Sequence, residues 1–576
     1  MKWGDGKSNE EAGEGEAWSS SSSTVEGNVT PPDGAKGKKV DDADETSPLI
    51  SASERSRDMK RSRKNLGIRK PYYVLKSWLL YQPRPLPLVH KTLPSNAVSL
   101  LVLAFLALNA FYNLYRMPLS LPYIFVFADR CGIAFTANLP LLYLLAAKTQ
   151  PIKFLTGHSY ESLNIFHRRL GELLCLEALL HFLGMFSVWY NLLRPLGVSL
   201  ARFLFNRVVG LGLGAFVAYE ALYLSSLGSF RQRWYELFLA SHIVLQIAGL
   251  ALLWFHHPTS QPYVGVALAI FVVDRLVFRL WCKASAHPAT LTVLDDDETV
   301  LVSANWAVVA RASALAPKNM THGWRPNDHV FLIVPALSRK HALQAHPFTI
   351  FSAAPPPPPD SQPASPQQQQ HAWLTLLIRA QSPPGFTHTL LTHARTHPHT
   401  HIRLDGPYGA SHALSLLSAS CTAILVAGGS GIAVAYPLLY ALLQPPTPRA
   451  TDVETAPRPR PSPRTVKLLW ITHAPAHRLW VPEAKMLELQ EWGLQLFVPP
   501  PTALAGRMDV GGVVGRWVEE QEEKEQCGGN DERGTGTGTG VVVSGPEGLV
   551  RDVRNTCAGL VGRGLDVRVG VEKFGW

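Results

Sequence analysis

The sequence has few of the features that mark several common classes of protein. Its six cysteines are single residues without a Cys-x-x-Cys pair, so neither a zinc site nor a disulfide framework is indicated. No basic stretch leads into an apolar run at the N-terminus, so we expect no cleavable signal peptide and the first membrane span must direct insertion. No basic-aromatic nucleic-acid motif accompanies the net charge of +10, so we expect no nucleic-acid partner.

Long apolar segments are what the chain does have. They cluster between about Ala97 and Trp281, which is typical of an integral membrane protein in contact with lipid. The predicted spans are six, near Ala97–Tyr115, Cys131–Ala147, Leu170–Tyr190, Phe203–Leu224, Leu237–Phe255 and Tyr263–Leu280. Basic residues in the loops after the second and fourth spans place these loops on the side of the basic tail, so both termini are predicted to be cytosolic.

Four histidines in two of these spans carry the strongest pattern in the sequence. His167 and His181 are 14 residues apart, and so are His242 and His256. At about 100° and 1.5 Å per residue, this spacing puts each pair on one helix face, about 21 Å apart. An ionisable group inside a membrane span is costly and is a functional hypothesis by default. Two such helices packed together would hold two stacked haems, each between two neutral imidazoles.

Two details near these histidines have alternative interpretations. His257 lies near the same face as His256, but His256 reproduces the register of the first pair. Arg168 and Arg169 beside the first histidine either pair with haem propionates or anchor the membrane edge. Glu172 follows Arg168 by four residues, which favours a helical ion pair.

The second half of the chain changes to short strands and helices. Six segments bounded by Gly and Pro predict a small antiparallel barrel, and from Thr422 the order becomes strand, glycine turn, helix, strand. The predicted domains are a disordered, basic-ended cytosolic tail (1–95), a six-helix membrane domain (96–282), an antiparallel β-barrel domain (283–410) and an α/β domain (411–576). Low-complexity stretches at Pro355–Gln370, Pro445–Arg464 and Gly528–Gly540 are predicted to be surface insertions.

Several short motifs in this half suit a flavin and a dinucleotide. The tetrad His346–Thr349 supplies an imidazole, a rigid turn, an aromatic ring and a hydroxyl at the start of a strand. The turn Gly428–Gly431 follows an apolar strand and opens an apolar helix, which lets backbone N–H groups approach a pyrophosphate. Ser544 ends another strand near the expected position of the nicotinamide. Phe574 lies two residues before the last residue, where an aromatic ring can stack on a flavin.

Taken together, these motifs resemble the ferric reductase and NADPH oxidase superfamily, and most of all the fungal ferric-chelate reductases. The resemblance rests on Phe166–Gly171 with His181, on His242 with Trp254–His256, and on the later motifs in this order. It implies six helices with two b-type haems, followed by a ferredoxin-reductase-like FAD and NADPH module.

The resemblance also implies roles for individual residues. The inner haem pair would be His167 with His242, and the outer pair His181 with His256. The FAD-binding residues would be His346, Pro347, Phe348, Thr349 and Arg379. The NADPH-binding residues would be Gly428, Gly429, Gly431, Gly545 and Pro546, with Ser544 and Phe574 at the reacting rings. Ser544 replaces the family's usual cysteine, and Ala433 replaces its usual Thr or Ser.

The expected function is transmembrane electron transfer from cytosolic NADPH to ferric chelates, or to Cu(II), outside the cytosol. The expected setting is the plasma membrane, with the vacuolar membrane as an alternative, and the expected partners are lipid and an iron permease and oxidase system. Two alternatives stay open at this point. One is a superoxide-generating NADPH oxidase, and the other is a non-catalytic haem-bearing sensor or scaffold.

Overall fold

The computed structural model describes most of the chain from residue 70 onward. The described ranges are 70–86, 92–148, 151–156, 160–276, 284–310, 319–339, 341–356, 370–381, 385–445, 465–527 and 538–572. Most of the predicted N-terminal tail, nearly all of the three predicted insertions, the last four residues of the sixth predicted span and Phe574 lie outside these ranges.

Within the described ranges, five helices are long and apolar enough to cross a membrane, at residues 96–114, 121–146, 163–193, 207–226 and 237–256. The helices of this half are α1 (70–80), α2 (Asn96–Leu114), α3 (Ile124–Ala146), α4 (Pro151–Thr156), α5 (Tyr160–Val188), α6 (Leu200–Leu204), α7 (Arg207–Ser226), α8 (Gly228–Arg233), α9 (Tyr235–His256) and α10 (Gln261–Val272). Helix α10 stands where the sixth span was predicted. The fold prediction of a membrane helix bundle is confirmed.

Two helix pairs form the centre of the bundle. Helix α3 packs along α5, and α7 packs along α9. Small residues allow this close approach: a Cβ on Gly184 of α5 would lie 2.6 Å from Ala128 Cβ of α3. A Cβ on Gly249 of α9 would lie 2.9 Å from the Tyr219 ring of α7. Apolar packing and small residues replace the hydrophobic effect as the cause of helix association in lipid.

The first soluble layer is a six-stranded antiparallel sheet. Its strands are β1 (Ala284–Val293), β2 (Thr299–Ala307), β3 (His329–Ile333), β4 (His346–Thr349), β5 (His371–Arg379) and β6 (His399–Tyr408), in the order β4-β3-β6-β1-β2-β5. A bridge between Ile350 and Leu376 joins the residue after β4 to β5, so the two edges meet. The sheet is therefore curled into a barrel, and helix α11 (Phe386–Ala394) packs against its apolar core.

The second soluble layer is a five-stranded parallel sheet. Its strands are β7 (Thr422–Gly428), β8 (Thr465–Ile471), β9 (Leu494–Phe497), β10 (Thr539–Ser544) and β11 (Val567–Glu572), in the order β11-β10-β7-β8-β9. The helices around it are α12 (His412–Ser418), α13 (Ile432–Leu443), α14 (Glu483–Glu491), α15 (Thr502–Ala505), α16 (Val510–Cys527) and α17 (Glu547–Gly562). Alternate residues of β7 enter two apolar cores on opposite faces, as expected of a sheet covered on both sides.

The prediction of disorder up to residue 95 is wrong for its last part. Residues 70–80 form helix α1, and Tyr73 and Leu80 pack against the core of the parallel sheet. The backbone N–H of Gln82 donates to Asn555 Oδ1 at 2.8 Å, and Asn555 Nδ2 donates to the Gln82 carbonyl at 3.0 Å. The aromatic and apolar residues of this segment bury surface, which a disordered tail of charged residues does not.

Candidate functional site

All four predicted haem ligands lie on the inner helix pairs with one ring nitrogen against a neighbouring helix. His167 Nδ1 lies 3.0 Å from the carbonyl oxygen of Leu142, and His181 Nδ1 lies 2.7 Å from that of Ala128. Both acceptors belong to α3, and they are 14 residues apart like the histidines themselves. The antiparallel course of α3 and α5 therefore gives each histidine an acceptor at its own depth.

The second pair is held in the same way by α7. His256 Nδ1 lies 2.8 Å from the carbonyl oxygen of Val208. His242 Nδ1 lies 3.2 Å from Ser226 Oγ, and that hydroxyl itself lies 2.6 Å from the carbonyl of Leu222. Since the hydroxyl donates its hydrogen to Leu222, it accepts the hydrogen of the imidazole.

These contacts decide which nitrogen of each ring is available to a ligand. A carbonyl oxygen accepts hydrogen bonds and cannot donate them, so each Nδ1 carries the hydrogen in the neutral ring. The lone pair then lies on Nε2. Metal-binding histidines almost always donate their other N–H to such an acceptor, which orients the ring and makes it a better ligand. The four histidines thus have the tautomer that haem iron requires.

The two outer histidines also face one another at a suitable distance. The ring centroids of His181 and His256 are 6.4 Å apart, with an interplanar angle of 85°. Two imidazoles that bind one metal ion from opposite sides, with metal–nitrogen distances of about 2.0–2.1 Å, have ring centroids roughly 6 Å apart. The separation of the two rings therefore fits a haem, which His181 and His256 would hold between them.

A glycine lies behind each outer histidine. A Cβ built on Gly132 of α3 would lie 2.8 Å from His181 Nδ1, and one on Gly212 of α7 would lie 2.5 Å from His256 Cε1. Any larger residue would displace the ring, because real Cβ atoms do not approach this closely. The helix pairs thus repeat one arrangement, in which a glycine makes room for an imidazole on the facing helix.

The structure separates His256 from its neighbour. His256 is the last residue of α9, whereas His257 has extended backbone and its Nδ1 accepts from the Thr259 N–H at 3.3 Å. His257 therefore caps the turn Pro258–Ser260, whereas the His256 ring faces that of His181.

The ion pair beside His167 differs from the prediction. Glu172 pairs with Arg169, three residues earlier on α5, and Arg168 is exposed. Three- and four-residue spacings both bring helical side chains together, so the local pattern alone did not select the partner. With Arg169 engaged by a carboxylate, Arg168 is the better candidate for a propionate.

The predicted flavin tetrad forms strand β4. It pairs with β3, so that Leu332 lies opposite His346 and Phe331 opposite Pro347. The His346 ring stacks on Phe386 of α11 with centroids 4.0 Å apart, and its buried Nε2 has no hydrogen-bond partner among the described residues. Burial, and then the charge of His341, lowers the pKa of His346 to about 4. A neutral, orphaned imidazole in an apolar slot fits a ligand that supplies the missing hydrogen bond.

Arg379 lies at the end of β5, the strand that closes the barrel beside β4. Its Nε and Nη2 both donate to Glu298 Oε2, at 3.0 and 2.7 Å. The guanidinium is thus held by a carboxylate, and a flavin phosphate would have to compete with Glu298 for it. The assignment of Arg379 remains a prediction with weaker geometric support than the tetrad.

The two predicted NADPH segments meet at one edge of the parallel sheet. The chain passes from β7 to one side of the sheet and returns to β10 on the other, so a switch point lies between these strands. Ligands of open α/β sheets bind outside the carboxyl ends of strands at such a point. A Cβ on Gly431 would lie 2.3 Å from the Ser544 carbonyl oxygen, and one on Gly545 would lie 3.0 Å from Gly428 Cα.

The glycine turn leaves room for a ligand on its outer side. Gly429 has a φ of +55°, and a Cβ built there would meet nothing within 4 Å. The turn leads directly into α13, whose first N–H groups are available to an anion. Ser544 is buried at the end of β10 and lies opposite Glu572, the last described residue of the chain. Phe574 lies beyond it, outside the described residues.

Several residues around these sites were not found by sequence reasoning. Gly132 and Gly212 had a weak indication, since glycine inside an apolar helix favours close approach of another group. Ser226, Phe386 and Lys148 had none, because their roles depend on partners distant in sequence. Within the described part of the chain, no cluster of three or more His, Cys, Asp or Glu side chains is arranged to hold a metal ion. A haem site differs, since the porphyrin supplies the other ligands.

Comparisons with known proteins show similarity to fungal ferric reductases. Residues 131–253 match the family described as ferric reductase like transmembrane component. The chain is 26% identical over 430 residues to the probable cell surface ferric reductase kap2 of Aspergillus oryzae, covering 70% of this chain and 52% of that protein. It is 24% identical over 311 residues to ferric/cupric reductase transmembrane component 2 of Saccharomyces cerevisiae, covering 53% of this chain and 38% of that protein.

Among solved structures, a ferredoxin-NADP+ reductase from Plasmodium falciparum has a TM-score of 0.30 and 13% identity, covering 52% of this chain and 99% of that one.

The chain spans about half the length, or less, of the two curated relatives. The family match covers the segment that carries all of α5, α7 and most of α9, and therefore three of the four histidines. Residues 131–253 are thus similar to the ferric reductase like transmembrane component, and the chain is similar to fungal ferric reductases over a longer stretch.

Proposed function

We propose that this chain transfers electrons across a membrane, from cytosolic NADPH to ferric chelates or Cu(II) on the opposite side. In this proposal FAD and two b-type haems are its resident cofactors. NADPH gives up two electrons and a proton to become NADP+, and two ferric ions each take one electron to become ferrous. The bound cofactors would supply the hydride and one-electron chemistry, which side chains alone do not provide.

The observation that carries the proposal is the arrangement of the four imidazoles. Each is held through Nδ1 by a facing helix, so that Nε2 is left for a ligand. His167 and His242 lie towards the N-terminal ends of α5 and α9, whereas His181 and His256 lie towards their C-terminal ends. Each pair would therefore hold one haem, and the two haems would lie near opposite sides of the membrane. A path for electrons across the membrane requires this.

The residues of the soluble half have separate tasks. Gly429 and the first turn of α13 would bind the pyrophosphate of NADPH. The buried Ser544 stands at the neighbouring strand end and would support the nicotinamide through packing and its hydroxyl. His346 and Phe348 line the slot beside Phe386, where an apolar environment would hold the flavin ring and keep water away.

The orientation follows from how the helices meet the soluble half. Lys148, just after α3, contacts the barrel, and Gln82, before α2, contacts α17. The inner ends of α3 and α5 are thus on the same side as the soluble half, with His167 nearer to it than His181. We propose that this side is cytosolic and that the membrane is the plasma membrane. Relatives with ferric and ferric/cupric reductase activity in their names support iron and copper as acceptors.

The decisive experiment replaces one outer histidine. His181→Ala should remove one haem, change the reduced-minus-oxidised spectrum of membranes and abolish reduction of external ferric chelate. His257→Ala is the matched control, since this exposed histidine caps a turn and should leave both readouts unchanged. Ferric reduction at the wild-type rate by the His181→Ala variant would refute the proposal.

The same membranes distinguish the other functions. Superoxide formation that exceeds iron reduction with NADPH would indicate an oxidase. A haem spectrum that NADPH does not change would indicate a sensor or scaffold, consistent with Ser544 in place of the family's usual cysteine. Iron reduction in step with NADPH oxidation supports the reductase.

A further inference from the structure

A buried lysine joins the membrane helices to the barrel. Lys148 follows the end of α3 by two residues, and its side chain is 4% exposed. Its Nζ lies 3.3 Å from Asp405 Oδ2 of β6 and 3.1 Å from the centroid of the Phe331 ring of β3. Its backbone N–H donates to Asp274 Oδ1 at 3.0 Å, just beyond α10. Lys148 therefore links the end of α3 and the segment after α10 to two barrel strands.

The Lys148 ammonium also contacts a second aromatic ring of the barrel. The Tyr408 ring centroid lies 4.6 Å from Lys148 Nζ, and its hydroxyl donates to Asp405 Oδ1 at 2.6 Å. On the membrane side, Arg275 Nε lies 3.9 Å from Asp274 Oδ2. An ammonium is attracted to an aromatic ring within about 6 Å of its centroid. A buried charge that loses its partners is strongly destabilised, so a displaced barrel would leave Lys148 in an unfavourable place.

Lys148 is also close in the fold to both proposed cofactor sites. On the membrane side, Leu142 lies six residues earlier on α3, and its carbonyl accepts the Nδ1 hydrogen of His167. On the barrel side, Phe331 lies directly opposite Pro347 of the flavin tetrad in the β3–β4 ladder. One side chain thus connects the helix end that orients an inner histidine with the strand that pairs with the flavin segment.

We propose that Lys148 is a positioning residue that fixes the flavin barrel against the inner histidine pair. This inference rests on the proposed function. Electron transfer between cofactors depends steeply on their separation, so a small shift of the barrel should slow the transfer from flavin to haem. The reaction of NADPH with flavin should not change, because the residues proposed to bind both reactants lie on the barrel and the parallel sheet, on one side of the contact that Lys148 makes with the membrane helices.

The test uses the full chain in membranes or nanodiscs, mixed anaerobically with NADPH. Flavin bleaching and haem reduction are followed separately. Lys148→Met removes the charge at similar length and should slow haem reduction about 10- to 100-fold while flavin bleaching stays near the wild-type rate. Lys148→Arg keeps the charge and should restore much of the haem rate. Asp405→Asn should slow haem reduction as Lys148→Met does.

A matched control is available in the parallel sheet. The Lys467 side chain is 9% exposed, and its Nζ lies 3.4 Å from Glu520 Oε2. The same Nζ lies 5.2 Å from the centroid of the Trp517 ring. Lys467→Met removes a similar buried charge away from the membrane contact and should leave haem reduction after flavin bleaching unchanged. An equal slowing by Lys467→Met would reduce the effect to general destabilisation and overturn the proposal.

Other outcomes separate this inference from the proposed function. Haem reduction by Lys148→Met at the wild-type rate overturns the inference alone. Wild-type protein that bleaches its flavin but never reduces haem overturns the proposed function. If Lys148→Met fails to fold, Tyr408→Phe decides, because it removes the hydroxyl that donates to Asp405 and keeps the ring beside Lys148. This variant should slow haem reduction several-fold, and no slowing overturns the inference.

Discussion

In the membrane helices, four imidazoles each hold Nδ1 against an acceptor on a neighbouring helix, whereas the barrel histidine His346 has a buried Nε2 without a partner among the described residues. The two regions therefore bury the same side chain in different ways. In lipid, no water is available to satisfy a polar nitrogen, so the helices themselves must do so. In the barrel, a bound ligand can supply the missing partner.

The comparison also distinguishes the membrane histidines from one another. Three of the four acceptors are backbone carbonyls, of Leu142, Ala128 and Val208, which mutation of the side chain does not remove. The fourth is the Ser226 hydroxyl, which holds His242. His242, the proposed inner ligand on α9, is therefore the histidine whose orientation depends on a single replaceable side chain.

The largest expected effect comes from filling the space behind the outer rings. Gly132→Val or Gly212→Val places side-chain atoms where the His181 or His256 ring lies, so each variant should lose the outer haem and ferric reduction. The haem-to-protein ratio of purified protein measures this. Gly171→Ala is the control, since its Cβ would meet Leu142 at an ordinary 3.8 Å. Wild-type haem content in both valine variants would contradict the assigned outer pair.

An intermediate effect is expected at the replaceable acceptor. Ser226→Ala leaves the Nδ1 hydrogen of His242 without its acceptor, and such losses lower metal affinity about 10- to 100-fold. Haem release to apomyoglobin should speed up for the inner haem only. Ser225→Ala is the control, because its hydroxyl donates to the same Leu222 carbonyl without any contact to histidine. Equal haem release from both variants would show that the Ser226 contact does not orient the ligand.

The smallest expected effect concerns His346 and pH. Its folded pKa of about 4 lies below the ordinary 6.5, so the unfolded chain binds more protons between these values. The stability of the flavin-free protein should therefore fall as pH drops from about 6.5 to about 4, by on the order of 1–3 kcal/mol from this group. His346→Phe should reduce that loss in thermal unfolding, whereas His399→Phe, an exposed barrel histidine, should not. An unchanged pH profile in His346→Phe would show that the imidazole is not buried in a neutral state.

Much of the fold could be predicted from local patterns. The six predicted strands of the barrel are present, and the last of them, β6, runs from His399 to Tyr408. Its length follows from its pairing with both β1 and β3. Helix α1 was missed because its apolar residues follow a long polar tail, and its partner on α17 lies hundreds of residues later.

The order of residues by itself determined the membrane helices, the strands and the common face of each histidine pair. These depend on hydrophobicity and on the helical period, which are properties of neighbouring residues. Only the tertiary structure decided which atom holds each imidazole, which arginine pairs with Glu172, and that Lys148 meets Asp405 at a separation of 257 residues. The physical reason is that such contacts arise when the whole chain packs, and no local pattern encodes the partner.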